Sequence, residues 1–380
     1  MKPFFSLFFT LFTICSFYSC LDDSDKMLLD NFQVEPLVNP ITQYLIGNPG
    51  SEIRAWMYDT SSIVGFGNGV AFYTPNLFDS LYRVSEGECY INGELLYNTF
   101  EQLITRNEGN AFLIQQSDDF GENYTIKFNK SQNENTIIDG TTVTGIHQFE
   151  AAAMSSASLG WFFSNYTATT GQNVFPSGLK VYRMVQNGTT GTIDATAIAE
   201  LPNTFHTTDC TFINSVAGWV LATNSSGTYC IRSGDSGETW ETPALITNNA
   251  NAPNKIVAEN FDQIYAYSTN YPIIYTSHDG GLTWVDVPIN TGNSVSDIYI
   301  VDQLTAFAAL PKEPDEIATI GDIYKTINGG ETWTKANTKP LYAEYIDFWD
   351  EQRGIATSKN VVQITFDGGQ TWKPIVYPLE

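Results

Sequence analysis

The stretch that decides the fold is TINGGETW, residues 326–333. It has three close copies: SGDSGETW at 233–240, SHDGGLTW at 277–284 and TFDGGQTW at 365–372. The shared template is Ser or Thr, any residue, Asp or Asn, any, Gly, any, Thr, Trp. A partial copy, SDDFGENY at 117–124, keeps Ser117, Asp119 and Gly121 but carries Asn123 and Tyr124 where the others have Thr and Trp. An internal repeat settles architecture before any local reading, because one repeat cannot bury its apolar face without its neighbours.

The chemistry of the box is that of a tight hairpin turn. The glycines supply backbone angles with positive φ. The Asp or Asn side chain accepts N–H groups within the turn, and the Trp folds back to bury a large apolar surface. Asn328 keeps the acceptor oxygen without the charge, which suits a turn and not a catalytic carboxylate. Structural turns are therefore expected at Ser233, Asp235, Gly237 and Trp240; at Ser277, Asp279, Gly281 and Trp284; at Thr326, Asn328, Gly330 and Trp333; and at Thr365, Asp367, Gly369 and Trp372.

Positions Asp235, Asp279, Asn328 and Asp367 lie 44, 49 and 39 residues apart. Between them run short β-branched and aromatic segments bounded by Gly, Asn, Asp or Pro, such as GWVLAT, QIYAYST and RGIATS. A period in the forties with four such segments per unit is that of a propeller blade. Four blades cover residues 206–380. Residues 143–202 give another, with GWFFSNYT and LKVYRMV as central strands and NGTTG in place of the box. The partial box at Ser117 ends one more, and IRAWMYD, GVAFYT and SLYRVS within 50–100 leave room for a further one. The expected fold is all-β: a single propeller of four-stranded antiparallel blades over residues 36–380. At about 50 residues per blade it has seven blades, with six plus an N-terminal extension as the alternative.

The boxes resemble the Asp-box, or BNR, repeat of sialidases, sortilin-like receptors and the photosystem II assembly and stability factor family. The last unit, IDFWDEQRGIATSKNVVQITFDGGQTW at 346–372, looks most like the photosystem II assembly factor pattern. The resemblance implies a non-catalytic interaction scaffold. It also implies that the boxes lie opposite the ligand-binding face.

Of the chain's 380 residues, 42% are hydrophobic, 14% aromatic and only 16% charged, a balance that suits short strands and tight turns. The first 19 residues, MKPFFSLFFTLFTICSFYS, join one basic residue to an apolar run and read as a signal peptide. With Cys20 and the acidic LDDSD behind it, this resembles a Bacteroidetes-type lipoprotein signal, with Cys20 acylated, residues 20–35 a tether, and the protein on the outer membrane facing the cell surface or the periplasm. An ordinary cleaved signal is the alternative. The net charge of −24 repels phosphate backbones and excludes nucleic acid as a partner. Cys89, Cys210 and Cys230 allow at most one disulfide.

If the boxes mark the lower face, the loops between second and third strands line the upper one. The longest are NYTATTGQNVFPSG at 165–178 and PKEPDEIATIG at 311–321. Tyr166, Phe175, Tyr271, Lys312, Glu313, Asp315 and Glu316 are the expected binding-face side chains for a protein or glycan ligand. A sialidase clamp needs three converging arginines. The arginines are Arg54, Arg83, Arg106, Arg183, Arg232 and Arg353, of which Arg232 precedes a box and Arg353 lies in a lower turn. A glycoside hydrolase with an unconventional carboxylate pair is the second reading. The three histidines, His147, His206 and His278, are far apart in sequence, and nothing in the chain calls for a metal or a cofactor.

Overall fold

The computed structural model describes the strands between residues 35 and 156 and, apart from 171–172, 203, 250, 290–292, 315–318, 340 and 359–360, the chain from 158 to 376. The expected signal peptide, Cys20, tether residues 20–34, Cys89, Asp119, Gly121, Asp315 and Glu316 lie outside the described residues.

The described strands form seven antiparallel sheets in chain order, here numbered I to VII. Sheet I runs from Arg54–Met57 through Ile63–Gly67 and Val70–Thr74 to Tyr82–Arg83, with Glu35–Pro36 added at its edge. Sheet II holds Glu94–Asn98, Gln102–Glu108, Ala111–Ser117 and Thr125–Ser131. Sheet III holds Asn133–Ile138, Thr141–Ser156, Leu159–Thr170, Asn173–Gln186 and Ile193–Leu201. Sheets IV to VII span 206–247, 255–288, 297–342 and 345–376. Each of IV, V and VII has four strands that pair in sequence order. Such meanders follow from turn residues every few positions, which allow only neighbour-to-neighbour pairing.

The core lies between sheets. Central strands such as Ile273–Ser277, Gly354–Ser358 and Val361–Thr365 are buried at every residue, because a neighbouring sheet covers each of their faces. Trp161 and Phe163 of sheet III pack with Phe212, Val220 and Ile231 of sheet IV. Trp219 and Leu221 of sheet IV pack with Ile264, Ala266 and Tyr275 of sheet V. Trp161 stacks on Phe212 at 3.8 Å between centroids, and Phe307 of sheet VI stacks on Phe348 of sheet VII at 3.6 Å. Cys210 and Cys230 are buried in different clusters and are not bridged to each other.

Neighbouring sheets also touch strand against strand. Thr141–Ser156 packs on Glu94–Asn98 and on His206–Phe212, and Tyr345–Phe348 packs back on Arg54–Met57. There the Met57 N–H donates to Asp347 Oδ2 at 2.6 Å, joining the first sheet to the last.

Two expected loops are strands. Residues 165–178 form most of a paired hairpin, closed at Thr170 opposite Asn173, and in 311–321 the strands run on to Pro314 and resume at Thr319. Extended pairing wins over the Gly, Asn and Pro content because the two arms of each hairpin pair with each other, with Thr141–Ser156 alongside residues up to 168 and Leu341–Tyr342 beside Ile320 and Gly321.

Candidate functional site

The box residues build one repeated piece of geometry. In sheet IV the Ser233 hydroxyl donates to Asp235 Oδ1 at 2.9 Å and accepts the Gly237 N–H at 2.9 Å. Asp235 then accepts the Thr239 N–H at 2.8 Å and the Thr239 hydroxyl at 2.6 Å, while Trp240 Nε1 returns to the Gly237 carbonyl at 2.9 Å. Asp279 and Asp367 repeat the arrangement with Thr283 and Thr371. At Asn328 the polarity reverses: its Nδ2 donates to the Thr332 hydroxyl at 3.0 Å, and its Oδ1 still accepts the Thr332 N–H at 3.1 Å. Gly330 has φ +88, and a Cβ there would meet the Tyr265 ring at 2.4 Å, so that position admits only glycine.

The hydrogen bonds hold these carboxyls below the usual carboxylate range. For Asp235 the Thr239 hydroxyl is the main cause. For Asp279 and Asp367 burial acts upward, and is outweighed by the side-chain and backbone donors of Thr283 and Thr371.

Each box also fastens its sheet to the preceding one. The Trp161 indole of sheet III donates to the Ser236 carbonyl of sheet IV at 2.8 Å, and Trp219 of sheet IV donates to the Gly280 carbonyl of sheet V at 2.9 Å. Gln263 of sheet V donates to the Gly329 carbonyl of sheet VI at 2.7 Å. In sheet III the box is replaced by Asn187, whose Oδ1 accepts the N–H groups of Thr189 and Thr190 at 3.0 and 3.3 Å.

The end opposite the boxes is built differently. Trp161 and Trp219 mark the same level in sheets III and IV, since both reach the next sheet's box. From there the second strand of sheet IV runs to Asn224, whereas the corresponding strand of sheet III, Leu159–Thr170, runs four residues further. At about 3.3 Å per residue the sheet III hairpin stands about 13 Å above its neighbour. The hairpin Asn133–Ile138 with Thr141–Ile146 runs alongside it.

At the base of this projection Glu150 is buried, with 6% of its side chain exposed. It accepts the Thr207 N–H at 2.5 Å, the Asn165 amide, and Nδ1–H of His206 at 2.9 Å. The His206 imidazole itself is 67% exposed. Carboxylates on other first strands make the same kind of joint. Asp209 accepts the Ile256 N–H at 2.8 Å, and Asp297 accepts the Ile346 N–H at 3.0 Å. Asp347, at the closure, is pushed up to about 7 by burial, against the pull of the Met57 N–H and with the charge of Asp297 adding to the rise. Its surface is partly open, but the protein packed densely around the carboxyl limits hydration of the charged form.

Of the expected binding-face residues, the structure describes the side chains of Tyr166, Tyr271 and Lys312. Tyr166 is buried, its ring tilted against His147 at 4.7 Å between centroids, with Lys180 Nζ 4.4 Å from its ring centroid. That burial corrects the expectation of an available tyrosine: the strand pairing that lengthens the hairpin also covers the ring. Phe175 and Glu313 lie in strands of sheets III and VI. Tyr271 is exposed on the turn between the second and third strands of sheet V. Lys312 is committed to Asp322, at 2.8 Å, beside Lys335 at 2.7 Å. Sequence reading passed over Glu150, Asp209, Asp297 and Asp347; Asp209 and Asp297 stand at matching places in their first strands, a signal that Lys255 and Tyr345 interrupt in the other two. Among the described residues no group of three or more His, Cys, Asp or Glu is placed to hold a metal ion.

Successive antiparallel sheets, four of them carrying boxes that fasten them to the sheet before, are the marks of an Asp-box β-propeller. Residues 192–343 match the family described as photosynthesis system II assembly factor YCF48, and residues 363–374 match the BNR/Asp-box repeat. Two similar solved structures are "YCF48 bound to D1 peptide" (11% identity, 92% of this chain and 96% of that one, TM-score 0.50) and YCF48 from Cyanidioschyzon merolae (13%, 88% and 98%, 0.50). No curated protein matches the chain. Residues 192–343 thus resemble the YCF48 family, and the fold is that of an Asp-box β-propeller.

Proposed function

We propose that this protein is a non-catalytic, seven-bladed propeller that binds a protein partner at the end opposite its boxes. In this reading each of the seven sheets is one blade. Cys20 carries the lipid that fixes the protein to the outer membrane, and residues 20–35 tether the propeller. The observation that carries the reading is the raised hairpin of sheet III: strands of 12 and 14 residues, against four or five in sheet V, lengthened mostly at the upper end. Unpaired strand edges and backbone raised above a rigid ring suit the capture of an extended peptide. The likeness to a propeller solved with a peptide bound supports a protein ligand over a glycan.

The test is site-specific photo-crosslinking from position 168 in the hairpin and from Tyr271, followed by binding measurements with the purified crosslinked protein. Replacing residues 168–175 by a two-residue turn is expected to abolish that binding. Turnover of a glycan panel that disappears in Glu150→Gln would instead establish a hydrolase.

A further inference from the structure

In sheets IV to VII, the lower turns carry large apolar side chains in water. Val216, Phe261, Leu304 and Trp349 stand on or beside the turns between first and second strands, and Ile327 and Phe366 occupy the second position of two boxes. Ile327 is 71% exposed, Leu304 58% and Phe366 51%. In the same four sheets the upper end presents two such side chains among the described residues, Tyr271 and Leu245, the latter beside the upper turn at Gly227. Scattered exposed apolar residues are ordinary, but a set gathered at one end of adjoining blades marks an interaction surface.

These turns are rigid. Asn214, Asn260, Asp302 and Asp350 each use Oδ1 to accept two successive N–H groups, at 2.7 to 3.0 Å. Each turn is then bound to the box of its own sheet: Ser236 N–H to Val216 O, Gly280 N–H to Asp262 O, Gly329 N–H to Leu304 O and Gly368 N–H to Gln352 O, at 2.8 to 3.3 Å. Adjacent boxes touch as well. Arg232 reaches the Asp279 carbonyl, His278 packs on Gly329, and Lys325 reaches the Glu351 carbonyl. The apolar groups are therefore presented in fixed positions, and binding them costs little ordering entropy.

The boxes do not need these side chains. The position of Ile327 and Phe366 is Gly234 in sheet IV and His278 in sheet V, with the same turn hydrogen bonds. Around them the charge is acidic: Asp262, Asp302, Glu331 and Glu351 are exposed and form no ion pair with a described residue. The cations at this end are engaged, Arg232 by Glu241 and Arg353 by Asp350. A second copy of this face and an anionic bilayer would both be repelled.

We propose that the box end of sheets IV to VII is a second docking surface, for a protein segment that places Lys or Arg beside aromatic or aliphatic side chains. It is independent of the upper-end reading, and uses the face that in the resembling families carries only turns.

The test uses the purified chain and three labelled 12-residue peptides, alternating Lys with Phe, Lys with Ser, and Glu with Phe, read by fluorescence anisotropy at low and high salt. The Lys–Phe peptide is expected to bind at least ten times more tightly than either control, and to weaken in salt. Ile327→Ser with Phe366→Ser should lower its affinity at least tenfold while the circular dichroism and thermal midpoint stay unchanged, and Glu331→Lys with Glu351→Lys should do likewise. Shortening the upper hairpin should change nothing. Equal binding of the Lys–Ser peptide, or unchanged affinity in both double variants, overturns the proposal. So does concentration-dependent self-association, or binding to anionic vesicles, that Ile327→Ser with Phe366→Ser removes.

Discussion

Sheet III and sheets IV to VII solve the turn between third and fourth strands in different ways. The four later sheets use the full box, which ties the turn to itself, to its own lower turn and, at least in sheets IV to VI, to the sheet before. Sheet III uses Asn187 and its two N–H donors, with Gly191 at φ +68, and lends its tryptophan to the box of sheet IV. The box is thus a joint between blades as much as a turn. A blade without one still takes part, provided its second strand begins with a donor aromatic. What sheet III lacks in lower-end stapling it has in upper-end length.

The sharpest way to break the later sheets is Gly330→Ala. Its left-handed backbone and the Tyr265 ring 2.4 Å from the new Cβ should together cost about 4 kcal/mol, read as a fall in urea midpoint. The same substitution at Gly188 of sheet III, where a Cβ meets nothing within 4 Å, should cost less than about 0.5 kcal/mol.

Asp347→Asn acts on the closure. The folded carboxyl holds its proton up to about pH 7, whereas the unfolded one releases it near pH 4. Between those values the unfolded chain binds fewer protons, so stability falls as pH rises. The Asn variant keeps an oxygen for the Met57 N–H and escapes this loss. It should be more stable than the parent at pH 8 by about 2 to 3 kcal/mol and no more stable at pH 4, a difference visible in thermal midpoints across that range.

Trp219→Phe removes the indole bond to Gly280 and should cost about 2 kcal/mol. Asp367→Ala should cost about 1 kcal/mol, and Asp367→Asn almost nothing, since Asn328 already closes a box with an amide. The box carboxylates stabilise the fold above about pH 4 and lose that contribution as pH falls through their depressed values. Asp367→Asn should therefore be less acid-sensitive than the parent. Asn187→Ala is milder still, at about 0.5 kcal/mol, because it removes one acceptor from an exposed turn.

The boxes and the meander of sheets IV to VII were legible because five fixed positions in each eight-residue box carry the turn chemistry and recur with it, and the central strands of sheet III because of their β-branched and aromatic runs. The raised hairpin was not. Thr, Gly, Asn and Pro in NYTATTGQNVFPSG each favour a turn locally, and only the flanking strands make the extended form cheaper. The joining carboxylates were equally hidden, since an acid in a half-exposed first strand has the same pattern whether it faces water or the next blade. Asp209 and Asp297 share a place, but Glu150 and Asp347 reach their partners from other positions. The apolar lower turns could be read as ordinary turn variation until their common end was known.

The direction of the box staples bears on how such a chain can grow. A segment cut from the first strand of one blade to the first strand of the next carries one donor, such as Trp219, which reaches the following unit, and one acceptor turn, such as that at Ser236, which receives the preceding unit. Duplicating the segment adds a donor and an acceptor together, and deleting it removes both. A gene encoding this ring can gain or lose whole units without leaving an indole or a carbonyl stranded at the seam, so each lineage is free to vary its circumference while keeping every joint made.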